Sequence, residues 1–202
     1  MTTAERILDT AERLVQLRGF NGFSYADVAA ELKITKASLH YHYPSKAELG
    51  EALIRRYGER FAAALAAIDA GATDAAAKLD AYAELYGRVL EGQRMCLCGM
   101  LAAEYRTLPE PMREAVIAFF DENESWLARV LREGKREQSL EFAGSPREVA
   151  RTIISTLEGA LLVSRPYAGS DRFRKTSRRL LATLAGRRRL RSAGSGSYRA
   201  DP

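Results

Sequence analysis

The stretch from Ser24 to Lys46 constrains this chain more than any other. It reads SYADVAAELKITKASLHYHYPSK, two short helical patterns joined by a tight turn. The first runs from Tyr25 to Leu32 and the second from Lys36 to Tyr43. Ser24 stands where its hydroxyl takes a free backbone N–H of the first opening turn, and Thr35 does the same for the second. Pro44 disfavours helical geometry at Tyr43, so the second helix ends there. Val28, Ala29, Leu32 and Leu39 supply a small shared core. The second helix then carries Lys36, Ser38, His40, Tyr41 and His42 on or near its outward side, with no acidic residue among them. A duplex major groove is a polyanion lined with base edges, so double-stranded DNA suits that content.

The same residues resemble the helix-turn-helix of the TetR/AcrR family of bacterial transcriptional regulators. The matching pieces are Gly19-Phe20, Ser24-Tyr25, Val28-Ala29, Ile34 to Leu39, and above all Tyr41-His42-Tyr43-Pro44-Ser45-Lys46. Two positions depart from the family pattern. Lys33 stands in the turn where glycine is usual, and positive φ there costs a side chain with a Cβ roughly 1 kcal/mol or more. His40 stands where tyrosine is most common. The resemblance implies that Ser24, Tyr25, Thr35, Lys36, Ser38, His40, Tyr41 and Lys46 touch DNA. Lys36 has the reach for a guanine edge or a phosphate, Ser38 for either, and Tyr41 for a phosphate oxygen or a thymine methyl. Thr35 and Lys46 are expected to clamp phosphates, which set register. Ser24 and Tyr25 add backbone contacts, and His42 packs under the head with Tyr43.

Along the rest of the chain the signals are helical. Ile7, Leu8, Ala11, Leu14 and Val15 recur at helical spacing from Ala4 to Arg18, and Gly19 stops that helix. It completes a three-helix head over residues 1–46, with the helix-turn-helix at about 24–43. Its Glu5, Asp9 and Glu12 make it a poor phosphate binder. Ser45 opens a long bridging helix to Gly71, with Glu48 in capping-box register. Lys46 in its first turn opposes the macrodipole, which a phosphate partner would explain. Further helices are expected over Thr73–Leu90, in the apolar run Met95–Tyr105, and over Met112–Glu133, Arg147–Ser164 and Asp171–Leu184. No strand pattern competes, so the predicted fold is all-α, a helix-turn-helix head followed by a larger helical ligand-binding and dimerisation domain over residues 47–185.

One head buries little surface, and specific sites need more than a single module supplies. Family members dimerise, and the helices around 147–164 and 171–184 carry enough apolar residues to form a homodimer. The resemblance also implies a small-molecule effector held by the middle helices. Candidate lining residues are Tyr82, Tyr86, Met95, Cys98, Met100, Glu104, Tyr105, Phe119, Phe120 and Trp126, each of which could equally be core packing. Little polar chemistry stands out there, so an apolar or aromatic ligand is expected, with Glu104 as a group that could orient it.

Charge is a poor guide here. The net charge is +5, but from Arg172 onward ten basic residues face only Asp201, so the remainder of the chain is acidic. The head balances its charges. Residues 186–202 form a basic, linker-like tail, either a loose arm that attracts DNA or an unselected terminus. The only cysteines, Cys96 and Cys98, exclude a disulfide framework and fit a reducing compartment. They are either small buried hydrophobes or thiols that sense oxidants or electrophiles, which makes a redox-sensing repressor the alternative reading. The two histidines sit in the head, so no metal cluster forms around the cysteines. Met1 to Phe20 lacks a signal-peptide core, and no segment has the roughly 20 apolar residues of a membrane span. A cytoplasmic protein with no membrane partner and no cofactor is expected. There is no nucleophile–base pair or glycine-rich phosphate loop, so an enzyme is not.

Overall fold

The computed structural model describes residues 1–167 and 170–186. Among them the chain is all-α, with one isolated antiparallel bridge between Leu140 and Ala185. The expected basic tail lies, from residue 187 onward, outside the described residues.

Helices α1 (Thr3–Arg18), α2 (Tyr25–Leu32) and α3 (Lys36–His42) form the head. Ser24 and Thr35 cap α2 and α3, accepting the N–H of Asp27 and Ser38. Ile7, Ala11, Leu14 and Val15 of α1 are buried with Val28, Ala29 and Leu39, and Leu32 is half-buried against them. Lys33 ends α2 in the left-handed region, at φ 54° and ψ 44°. Tyr43 ends α3 in extended geometry, as a residue before proline must.

Helix α4 (Lys46–Gly71) belongs to both halves. Leu49 and Leu53 are buried near its start, and Tyr57, Phe61 and Leu65 are buried further along. Ser45 accepts the Glu48 N–H, but the capping box is not reciprocal: the Glu48 carboxylate takes the Ser45 hydroxyl instead of its backbone N–H. Glu5 closes the capping box with Thr2, whereas Asp9 and Glu12 of α1 find their partners on α4. Arg56 bonds Asp9 at 2.8 Å and Glu12 at 2.9 Å, and Arg60 bonds the other Glu12 oxygen. These pairs lash α1 to the bridging helix.

The body comprises α5 (Ala75–Glu91), α6 (Leu97–Ala103) with a 3₁₀ turn (Tyr105–Thr107), α7 (Glu110–Arg136), α8 (Pro146–Ser164) and α9 (Asp171–Ala182). The long α7 lies against α4, α5, α6 and α8. The end of α9 is pinned to the α7–α8 loop, where Glu141 donates to the Leu184 carbonyl and Gly186 to that of Ser139. The two C-terminal helices differ in what they leave outside. Helix α9, expected to share a dimer interface with α8, buries Phe173 and Leu181 within the protomer and leaves Arg172, Arg174, Lys175, Arg178 and Arg179 exposed. Leu180, beside Leu181 on the same turn, is half-buried. Helix α8 leaves Leu162 60% and Val163 56% exposed, with Tyr167 53% exposed just beyond it.

Candidate nucleic-acid interface and effector cavity

Leu39 is fully buried and roots α3 in the head. The opposite side of this short helix is open. Thr35, Lys36, His40 and Tyr41 are exposed and Ser38 is half-buried. Tyr41 is 84% exposed, an apolar ring left in water with only an edge contact to His42 at 5.2 Å. No hydrogen bond or ion pair engages the Lys36 ammonium among the described residues. His40 is aimed by its neighbours: its Nδ1 donates to the Pro44 carbonyl at 3.1 Å, and its ring lies 4.8 Å from that of Tyr25. The Tyr25 hydroxyl is committed inward, to the Tyr43 carbonyl at 2.8 Å, and burial pushes it up to about 12. Tyr25 therefore braces the end of α3. Ser24 stays exposed, but its hydroxyl serves the cap and bonds Asp27 Oδ2 at 2.6 Å.

Lys46, expected to clamp a phosphate, has its ammonium engaged within the protomer. It donates to the carbonyls of Phe20 at 2.6 Å and Phe23 at 2.5 Å. It also lies over both phenyl rings, 4.6 and 4.4 Å from their centroids. Burial lowers its pKa, against which nearby Glu104 and Asp27 act. The reason is geometric: Phe20 and Phe23 lie in the loop between α1 and α2, and Lys46 in the first turn of α4 is within hydrogen-bond reach of both carbonyls.

Glu104, expected to orient an effector, is engaged with the head. One carboxylate oxygen accepts the Phe20 N–H at 2.6 Å, and both approach the Asn21 N–H at 3.3 and 3.4 Å. Gly19 permits this. It sits at φ 85°, and a Cβ there would meet the Glu104 carboxylate at 2.5 Å. Further body contacts hold the same loop: Met95 donates to the Gln16 carbonyl at 3.2 Å, Arg165 to that of Leu17, and Asn21 to Thr107.

Behind the head, the expected ligand residues divide. Tyr82, Tyr86, Met95, Cys98 and Phe119 are buried, Met100, Phe120 and Trp126 are half-buried, and Tyr105 is exposed under Arg113. Tyr82 and Tyr86 share a hydroxyl contact of 3.2 Å, and Tyr82 donates to Asn123 at 3.1 Å. That pair is packed core. Open space lies beside it, in a solvent-open groove between α4 and α7 that has two adjoining parts. One part is about 410 Å³ and adjoins Ile54 and Phe119; the other is about 280 Å³ and adjoins Phe61, Asn123 and Trp126. Of the ten expected residues it brings together only Phe119 and Trp126. Phe61 and Asn123 were missed, although Asn123 stands in the apolar register of α7, four residues after Phe119, where a polar residue signals a partnered or ligand-facing site.

Both cysteines are free and buried, and burial raises both thiols well above their ordinary range. A sensing thiol needs the opposite shift and access, so the structure lends the redox alternative no support. The Tyr57 hydroxyl donates to Cys96 Sγ at 3.6 Å. Sequence reading also missed Glu158 of α8, whose Oε1 is sealed from solvent without a hydrogen-bond partner. Burial pushes its carboxyl up to about 7.

An exposed recognition helix, capped and rooted in a three-helix head that is joined to a helical body, defines a helix-turn-helix DNA-binding regulator. Residues 7–53 match the family model of bacterial regulatory proteins, tetR family, and residues 75–180 match the tetracyclin repressor-like C-terminal domain. The chain belongs to the TetR family. It is 26% identical over 192 residues to the HTH-type transcriptional repressor NemR of Escherichia coli, covering 91% of this chain and 96% of NemR. Its fold is similar to the crystal structure of a TetR-family regulator from Agrobacterium tumefaciens, with TM-score 0.88 and 31% identity over 91% of this chain and 97% of that one. A TetR regulator from Legionella pneumophila aligns with TM-score 0.80 and 33% identity, covering 91% and 98% of the two chains. Among the described residues no helix is long and apolar enough to cross a membrane.

Proposed function

We propose that this chain is a transcriptional repressor that binds a palindromic operator as a homodimer and is released by a small effector. The observation that carries the reading is α3. It spends Leu39 on the core and leaves Tyr41 and Lys36 in solvent, an arrangement that gains nothing within the protomer and suits a groove. Lys36, Ser38, His40 and Tyr41 face bases and phosphates, with Thr35 at the helix start. Tyr25 and Ser24 support them from α2. A second copy docks on the patch of Leu162, Val163 and Tyr167, with α8 at the centre of the interface and the α9 arginines at its rim. Two heads then read half-sites about one helical turn, ~34 Å, or somewhat more apart. The effector enters between α4 and α7 and moves the helix that carries the head. It shifts the balance only by its differential affinity for the two states. NemR, by its name a repressor, favours repression over activation, and catalysis has no part in the proposal.

Fluorescence anisotropy with a duplex taken from upstream of the chain's own gene tests this. Lys36→Ala and Tyr41→Ala should each weaken binding about tenfold, the cost of one good base or phosphate contact, without lowering the melting temperature. Leu162→Asp should give a monomer by sedimentation and lose tight binding. Unchanged affinity in both α3 variants overturns the reading.

A further inference from the structure

The solvent-open groove between α4 and α7 has an unbalanced lining, with Glu59 and Glu122 exposed at its rim and Glu51 half-buried. Glu51, Glu59 and Glu122 adjoin it, and none makes a hydrogen bond or ion pair among the described residues. Arg55 stands between the two glutamates of α4 on the same helix face and bonds neither. Asp69, at the far end, is already held by Trp126 Nε1 at 3.0 Å, Arg129 at 2.6 Å and Lys78 at 3.1 Å. The unmatched charge is thus three carboxylates against one guanidinium. Phe119 lines the same part as the three glutamates, and Phe119 and Glu122 also line the adjoining part, with Phe61 and Trp126. The space is kept open at Gly58, where an added Cβ would meet nothing within 4 Å. A glycine inside a helix weakens it, and here no close contact requires one. The larger part, about 410 Å³, is within the size range of small-molecule sites.

We propose that this groove takes an amphiphilic organic cation, an apolar or aromatic body bearing a protonated or quaternary nitrogen. The assignment rests on the effector reading above and names its chemical class. The body packs on Phe119, Trp126 and Ile54, and the positive centre lies among Glu51, Glu59 and Glu122. Ring faces add their own attraction for a cation. A neutral ligand gains only the wall, and an anion meets the carboxylates. A body wedged here presses directly on α4, which carries the head.

Tetraphenylphosphonium and tetraphenylborate, nearly the same shape with opposite charge, separate these terms. Trp126 is the only tryptophan in the chain, so its fluorescence reports on the groove. The phosphonium should bind saturably and at least about tenfold tighter than the borate at low salt, and ~1 M salt should narrow the gap. Glu59→Gln combined with Glu122→Gln should weaken the phosphonium about tenfold and spare the borate. Gly58→Leu should block both while the protein keeps its melting temperature. The phosphonium should release duplex DNA from the wild type and not from Gly58→Leu. Equal binding of the two ions, or indifference to the glutamine pair, overturns the charge assignment. No phosphonium binding by a protein that still binds DNA overturns the cation class and leaves the regulator standing. If the wild type binds no duplex, the regulator reading fails, and the fluorescence titration decides the ligand class by itself.

Discussion

The Glu104 carboxylate at the end of α6 holds the backbone N–H of Phe20, just past the end of α1, at 2.6 Å. The body thereby grips the head through a charged acceptor on a free donor, worth about 1.5–3 kcal/mol for a hydrogen bond to a charged group. Glu104→Ala should lower stability by about 1–3 kcal/mol and speed hydrogen exchange at the Phe20 and Asn21 amides. It should also reduce the effect of an effector on DNA affinity, because the head has lost a grip on the body. Unaltered exchange at both amides would show the contact to be idle.

Lys46 and Lys36 make opposite predictions in a salt titration. Each phosphate contact contributes about 0.9 to the slope of log affinity against log salt. Lys36→Ala should reduce the slope by up to about 1, if its ammonium meets a phosphate. Lys46→Met should leave the slope alone and instead lower the melting temperature, since it frees two carbonyls of the loop between α1 and α2. A reduced slope for Lys46→Met would restore it to the DNA contacts.

Lys33 holds φ 54° with a Cβ. Replacing it with glycine removes that strain, less the greater entropy of an unfolded glycine. Lys33→Gly should stabilise the head by about 0.5–1 kcal/mol, or roughly 1–4 °C in a domain of this size. Its DNA affinity should change little.

Glu158 sets a pH dependence of known sign. Its carboxyl is raised from 4.5 to about 7 by burial, and its neighbours Cys96, Cys98, Tyr57, Tyr82 and Tyr86 supply no cation. The folded state binds this proton more tightly than the unfolded chain. The resulting stability is full below about pH 4.5 and is lost as pH rises through about 7. Glu158→Gln should therefore match the wild type near pH 5 and exceed it near pH 8, by up to about 3 kcal/mol. Melting curves at the two pH values decide it, and parallel curves remove the group from the account.

Local signals were legible because they are written in short windows. Ser24, Thr35 and Ser45 announced their caps, Pro44 the end of α3, Lys33 the strained turn, and the apolar spacing of α1 and α7 their buried faces. The family motif added which side of α3 stays exposed. The roles of Lys46 and Glu104 were not legible. Their partners lie 26 and 84 residues away in sequence, and a charged side chain near a helix start reads the same whether it meets a phosphate or a carbonyl. The ligand residues were chosen for being aromatic, and aromatic residues both fill cores and line cavities.

The sequence by itself determined an all-α chain with a DNA-reading head, since helix period, capping chemistry and motif are local properties. Only the tertiary structure decided that Tyr82 and Tyr86 are packed together while Phe119 and Trp126 border open space. That difference arises where helices distant in sequence meet, and it depends on which side chains close the gap between them.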